Sequence, residues 1–156
     1  VGMAVRRNER EGSTLVQMGH EGYRRSFGII HNRDLYLSSA GDDFRGKDTL
    51  VGGAGAFTLR FHLHPALKAS TVRAGTAVLI VAPDGEAWEF VAPGCETVIE
   101  ESIYLSDSYG HRRSEQIVVY GRVAHRREAA WQFRRTAAPQ AVRRRVSDAG
   151  AEELDL

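Results

Sequence analysis

Apolar and polar residues alternate most cleanly between Ala56 and Pro65, AFTLRFHLHP. Phe57, Leu59, Phe61 and Leu63 take one set of positions; Thr58, Arg60, His62 and His64 take the other. A period of two places the two sets on opposite faces of a β-strand. One face suits a core, and the other lines up a guanidinium and two imidazoles. Pro65 ends the strand, because proline has no N–H to give a central ladder. Upstream, short strands are predicted at Met3 to Arg7, Thr14 to Met18, Tyr23 to His31 (interrupted by Gly28), Leu35 to Ser38 and Phe44 to Leu50. Turn-forming residues separate them, and Gly52, Gly53 and Gly55 read as a flexible loop.

The second half repeats the pattern. Thr76 to Val81 is a continuous apolar run, and Pro83-Asp84-Gly85 is a hairpin turn that returns Trp88 and Phe90 on one face. Thr97 to Leu105, Glu115 to Val123 and Ala129 to Arg134 are further strands, with Asp107 to Arg113 a polar loop. Trp88 and Trp131 each stand two residues before a Phe, which favours core over an exposed sugar platform. No amphipathic helix is predicted before Ala137. About ten to twelve strands with short connections imply an all-β fold, an antiparallel β-sandwich with no substantial helix. The sandwich is assigned to residues 1–136. Residues 137–156, where Arg143 to Arg145 precede Asp148, Glu152, Glu153 and Asp155, form a tail, either a short helix or mobile.

At 156 residues the chain has the length of one domain. Its 42% hydrophobic and 26% charged content fit an ordinary globular fold. The net charge of +1 gives no argument for nucleic acid. No apolar run nears the ~20 residues that span a membrane. The single Cys95 excludes an internal disulfide and a cysteine-based zinc site, and its PGCE turn reads as a plain loop. The chain begins Val1-Gly2-Met3, which reads as a processed chain or a fragment of a longer one.

Two stretches carry candidate chemistry. His62 and His64 sit about 6.5–7 Å apart along one strand face. They can share a metal ion if a neighbouring strand supplies a third ligand, with His20, His31 and Asp48 available, or act as acid and base. The alternative is a solvated or domain-facing polar surface. Gly19 to Arg25, GHEGYRR, joins turn glycines to Tyr23 and Arg25, which share a face if the strand there is regular. Tyr stacks on sugar rings and Arg pairs with carboxylate or sulfate; the alternative is a β-turn with Tyr23 at a sheet margin. Glu100 and Glu101 face opposite ways and make no carboxylate pair.

The series HEGYRRSFGIIHNRDLYLS, GKDTL, FTLRFHLHP, GEAWEF, IEESIY, EQIVVYG and WQFRR, in that order, resembles the C-terminal β-domain of bacterial heparinase II/III-like proteins. The resemblance covers about Gly19 to Arg134. It implies a large antiparallel sandwich paired, in the parent protein, with an α/α-toroid domain. It also implies a polysaccharide lyase that cleaves uronic-acid-containing glycans by β-elimination. Zinc is implied for the parent, through a His/Asp-rich stretch that this chain does not match, so no catalytic or metal residue is carried over. The chain alone is expected to be catalytically silent and to line a glycan cleft with Tyr23, Arg25, Arg60, His62 and His64. The expected partners are an acidic polysaccharide and the toroid, with no nucleic acid or membrane, and exposed sheet edges invite self-association. The sequence does not name the compartment; in a bacterial setting it is left open between cytoplasm and periplasm. The alternative is a structural or carbohydrate-binding module without lyase activity.

Overall fold

The computed structural model describes residues 2–106 and 110–138, apart from the side chains at 106, 125 and 126. The strands are β1 (Met3–Arg10), β2 (Ser13–His20), β3 (Ile30–Leu37), β4 (Asp43–His62), β5 (Lys68–Val72), β6 (Ala77–Val81), β7 (Ala87–Val91), β8 (Glu96–Ser106) and β9 (Gly110–Ala137). One helical turn, α1 (Arg24–Phe27), lies between β2 and β3. All strand pairs are antiparallel, in the order β1-β2-β3-β4-β9-β7-β6-β5, with β8 also on β9. The strands number nine among the described residues, below the ten to twelve expected: two predicted pairs merge, residues 32–34, read as a turn, lie inside β3, and β5 was not foreseen. Phe44 to Leu50 and Ala56 to Pro65 run together as β4; Glu115 to Val123 and Ala129 to Arg134 run together as β9. Residues 110–113, read as loop, are paired with β8. The predicted tail lies outside the described residues from 139 onward.

The long pair β4–β9 makes two layers from one sheet. Gly46 lies opposite Trp131 in the ladder, yet the Phe61 ring packs 4.8 Å from Trp131 between centroids. A straight strand would separate positions 46 and 61 by about 50 Å. The pair therefore folds over on itself. The bend falls at a bulge between Val51 and Ala54, where Gly52 and Gly53 have φ of 84° and 60°. A Cβ at Gly52 or Gly53 would also lie 2.5 Å from the Gly28 carbonyl oxygen or 2.6 Å from that of Phe27. The predicted glycine loop is thus a bulge inside a strand. It needs glycine for left-handed backbone and for room beneath α1.

The core fills the fold. Leu59, Leu63, Val78, Ile80, Phe90, Ile117, Val119 and Trp131 are buried, and Phe61, Phe90, Trp131 and Phe133 meet ring to ring at 4.7–5.8 Å. Trp131 is core, as its pairing with Phe133 suggested. Trp88 packs at the core margin under Arg135.

The strand predicted from Tyr23 to His31 is corrected. Its first part is α1, closed by Gly28 in left-handed backbone (φ 67°) with its N–H on the Arg24 carbonyl. The hairpin closes at the facing pair His20 and His31, and the residues between leave the sheet. The two bracketing glycines and the unbroken polar run of Arg24 to Ser26 explain the turn: nothing there alternates.

The Trp131 indole covers Gly46, where a Cβ would fall 2.0 Å from its ring. Replacing Gly46 with Ala should therefore cost about 1–3 kcal/mol of stability by overpacking. Urea unfolding of the two chains measures this; equal midpoints would mean that the indole moves aside freely.

Candidate functional site

The site grows from one buried carboxylate. Asp48 faces inward from β4 and is 0% exposed. An ionised carboxylate there must have its oxygens occupied. His31 Nε2 reaches Oδ1 at 2.6 Å, Arg33 Nε reaches Oδ1 at 2.7 Å, and Trp131 Nε1–H donates to Oδ2 at 2.8 Å. Pairing of β3 with β4 puts Arg33 opposite Asp48 and His31 opposite Leu50, so both side chains lean over the carboxylate from one face. Burial pushes the Asp48 carboxyl up, but the bonds from His31, Arg33 and Trp131, with the Arg33 charge, outweigh it and hold it below its ordinary value.

From Asp48 a chain of imidazoles runs toward the surface. His31 Nδ1 lies 3.1 Å from His20 Nε2, and His20 Nδ1 accepts the Gly22 N–H at 3.2 Å. With both rings neutral, one assignment satisfies every bond. His20 carries its proton on Nε2 and donates to His31, which carries its own on Nε2 and donates to Asp48. The Tyr23 ring sits 5.1 Å from His20 and 6.4 Å from His31.

These groups line a cavity of about 880 Å³. It lies between the inner face of β2 and β3, the turn α1, and residues 54–60 of β4 beyond the bend. His20, Tyr23, His31, Arg33, Thr58 and Arg60 contribute polar groups; Phe27, Ile29, Leu50 and Phe57 contribute apolar surface. Its size suits a small organic ligand or a sugar unit.

A zinc ion does not fit these side chains. Each nitrogen of His20 and His31 faces a hydrogen-bond partner, and both Asp48 oxygens are taken. Among the described residues no group of three or more His, Cys, Asp or Glu side chains is placed to hold a metal ion.

With this geometry in view, comparison with known proteins is decisive for the family. The family description "Heparinase II/III-like, C-terminal" matches residues 2–146. The chain belongs to the heparinase II/III-like C-terminal family. A curated relative, FtsZ-localized protein C of Caulobacter vibrioides, is 30% identical over 131 residues, covering 76% of this chain and 22% of the relative. The crystal structure of heparan sulfate lyase HepC from Pedobacter heparinus aligns with a TM-score of 0.75 at 10% identity, over 89% of this chain and 22% of that one. A crystal structure of heparinase III aligns at 0.68 and 14% identity, over 85% and 21%. At such identities the structures show a shared fold. The chain spans about a fifth of the length of these proteins, 21–22%.

The heparinase-like domain distributes the five sequence-derived site residues unevenly. Tyr23 and Arg60 line the cavity. Arg25 is exposed on α1 and shares no strand face with Tyr23. His62 Nδ1 bonds Ser102 Oγ at 2.9 Å, and His64 Nδ1 accepts the Ala66 N–H at 3.2 Å beside Tyr104. Both histidines are exposed, and among the described residues no third His, Cys, Asp or Glu joins them in a group that could hold a metal ion. Arg60 is paired with Glu100 at 3.1 Å, and Glu100 also accepts from Tyr120 and Gln116. The Tyr120 and Arg60 bonds hold the Glu100 carboxyl below its ordinary value, and the bond to Glu100 raises the Tyr120 phenol.

Sequence reasoning missed Arg33 and missed the joining of His20, His31 and Asp48. The available signal was His31-x-Arg33, two polar groups on one face of an apolar strand, followed by an acid at Asp48 inside the next apolar run.

Replacing Asp48 with Asn would set an amide N–H₂ against the donors of His31, Arg33 or Trp131. A loss of about 3–5 kcal/mol near neutral pH is expected. The Asp48 carboxyl lies below its unfolded value of about 3.9, so its contribution is fully present above that pH and is lost as pH falls through the folded value. Urea midpoints of both chains should begin to converge as pH falls below about 4; a gap that stays constant would rule this origin out.

Proposed function

We propose that this domain forms one wall of the glycan cleft of a polysaccharide lyase that works by β-elimination on uronic-acid-containing chains, and that it is catalytically incomplete alone. In that reaction a base takes the proton α to the carboxylate. The C–H electrons form a C=C bond, the glycosidic C–O bond breaks, and the leaving oxygen takes a proton. Charge gathers on the carboxylate, so cations beside it lower the barrier.

The carrying observation is the cavity's chemistry. Arg33 and Arg60 present guanidinium groups, each with one N–H on a carboxylate (Asp48 and Glu100), and Tyr23, 47% exposed, presents an aromatic ring. Neither imidazole in the cavity wall has a nitrogen free to act as base. This supports a wall that binds and neutralises the acidic sugar while an α/α-toroid elsewhere in the parent supplies the base. The heparan sulfate lyase fold neighbours agree with the same reading.

The relative named for localisation with FtsZ favours a second reading, a non-catalytic module in a protein placed with FtsZ. The two separate experimentally. The full-length parent, mixed with heparin, heparan sulfate or alginate, should release unsaturated product seen as rising ultraviolet absorbance, while the 156-residue chain should not. No rise with any acidic glycan would remove the lyase reading and leave the module. In gels containing the cleaved glycan, Arg60→Ala should weaken retardation of the chain about tenfold through loss of one charged hydrogen bond.

A further inference from the structure

We propose that Asp48, His31 and His20 are a positioning chain for Tyr23, holding its ring at the cavity as a contact for an acidic sugar, and that the chain holds only while each imidazole carries a single proton. The sugar contact rests on the glycan reading above; the chain itself does not.

His20 grips the start of the turn twice. Its ring packs against Tyr23, and its Nδ1 takes the N–H of Gly22, the residue before. The Tyr23 carbonyl then accepts from Phe27 N–H at 2.9 Å and closes α1. His20 is in turn fixed by His31, and His31 by a carboxylate that Arg33 and Trp131 immobilise. The orientation of Tyr23 is thereby tied to a fully buried anchor on β4.

The chain has one direction. An extra proton on His31 Nδ1 would face the Nε2–H of His20. If His20 changed tautomer to accept it, its Nδ1–H would face the Gly22 N–H. One added proton therefore breaks a bond either between the rings or at the turn. The charged and titratable groups around the rings are Asp48 from β4, Arg33 from β3, Arg60 from beyond the bend, and Glu21 and Tyr23 from the turn; β1 sets only Met3 opposite His20. Glu21 is already paired with Arg24 at 3.0 Å.

Nitrogen-15 NMR of the 156-residue chain tests the chain directly. Near neutral pH both rings should be Nε2–H tautomers, and an Nδ1–H tautomer at either ring would overturn the proposal. In acid, once the nitrogen-15 shifts show both rings doubly protonated, hydrogen-exchange protection at Gly22 should fall about tenfold. Unchanged protection with both rings doubly protonated would overturn it equally. Heparin binding near neutral pH tests the sugar contact. His20→Gln should weaken it about fivefold to tenfold and add nothing in a Tyr23→Ala background. Additive losses would refute positioning through Tyr23. If the wild-type chain ignores heparin, the Tyr23 contact falls with the glycan reading, while the tautomers still decide the chain.

Discussion

A carboxylate with no solvent must find all its partners in the protein, and Asp48 is such a carboxylate. It draws His31 and Arg33 from β3 and Trp131 from β9, so three adjacent strands are tied at one point. Trp131 is also an aromatic hub, touching Phe44, Phe61 and Phe133. The polar site and the apolar core thus share a side chain: the indole N–H serves Asp48 while the ring packs against the second layer. Coupling of this kind makes the site as rigid as the core beneath it.

The bend in β4 has a matching double role. It brings Phe61 over Trp131 and closes the core. It also carries residues 54–60 over the inner face of β2 and β3, which creates the cavity. Gly52 and Gly53 allow this because the chain turns there with positive φ while the backbone of Phe27 and Gly28 presses close. The turn bearing Tyr23 and the bend bearing the far wall are therefore in direct contact. A change at one must shift the other.

What the sequence disclosed follows from the range of the forces involved. Alternation is local, so AFTLRFHLHP showed its core face correctly, with Leu59 and Leu63 buried, and Trp131 read as core beside Phe133. The motif series was legible because it preserves order over most of the chain. The helical turn at Arg24–Phe27 was not, since apolar residues on either side of Gly28 looked like one strand. The bulge at Gly52 and Gly53 was not, because a strand bent through glycines and a loop between two strands have the same composition. The meeting of His20, His31, Arg33 and Asp48 depends on the register of two strand pairs, set by cross-strand packing at a distance.

The two histidine pairs show why spacing alone misleads. His62 and His64 are two apart on one strand, an arrangement that invites a shared ligand. Yet each Nδ1 has gone to a different neighbour, Ser102 in one case and the Ala66 N–H in the other. His20 and His31 are eleven apart, with nothing local to link them, and they meet because they close a hairpin. An imidazole nitrogen serves one strong partner at a time. In the second pair all four nitrogens are committed in one direction, from the Gly22 N–H to Asp48. The chemistry left for the cavity is then that of Arg33, Arg60 and Tyr23, a surface of carboxylate-paired guanidinium groups and an aromatic ring held from behind by the histidines.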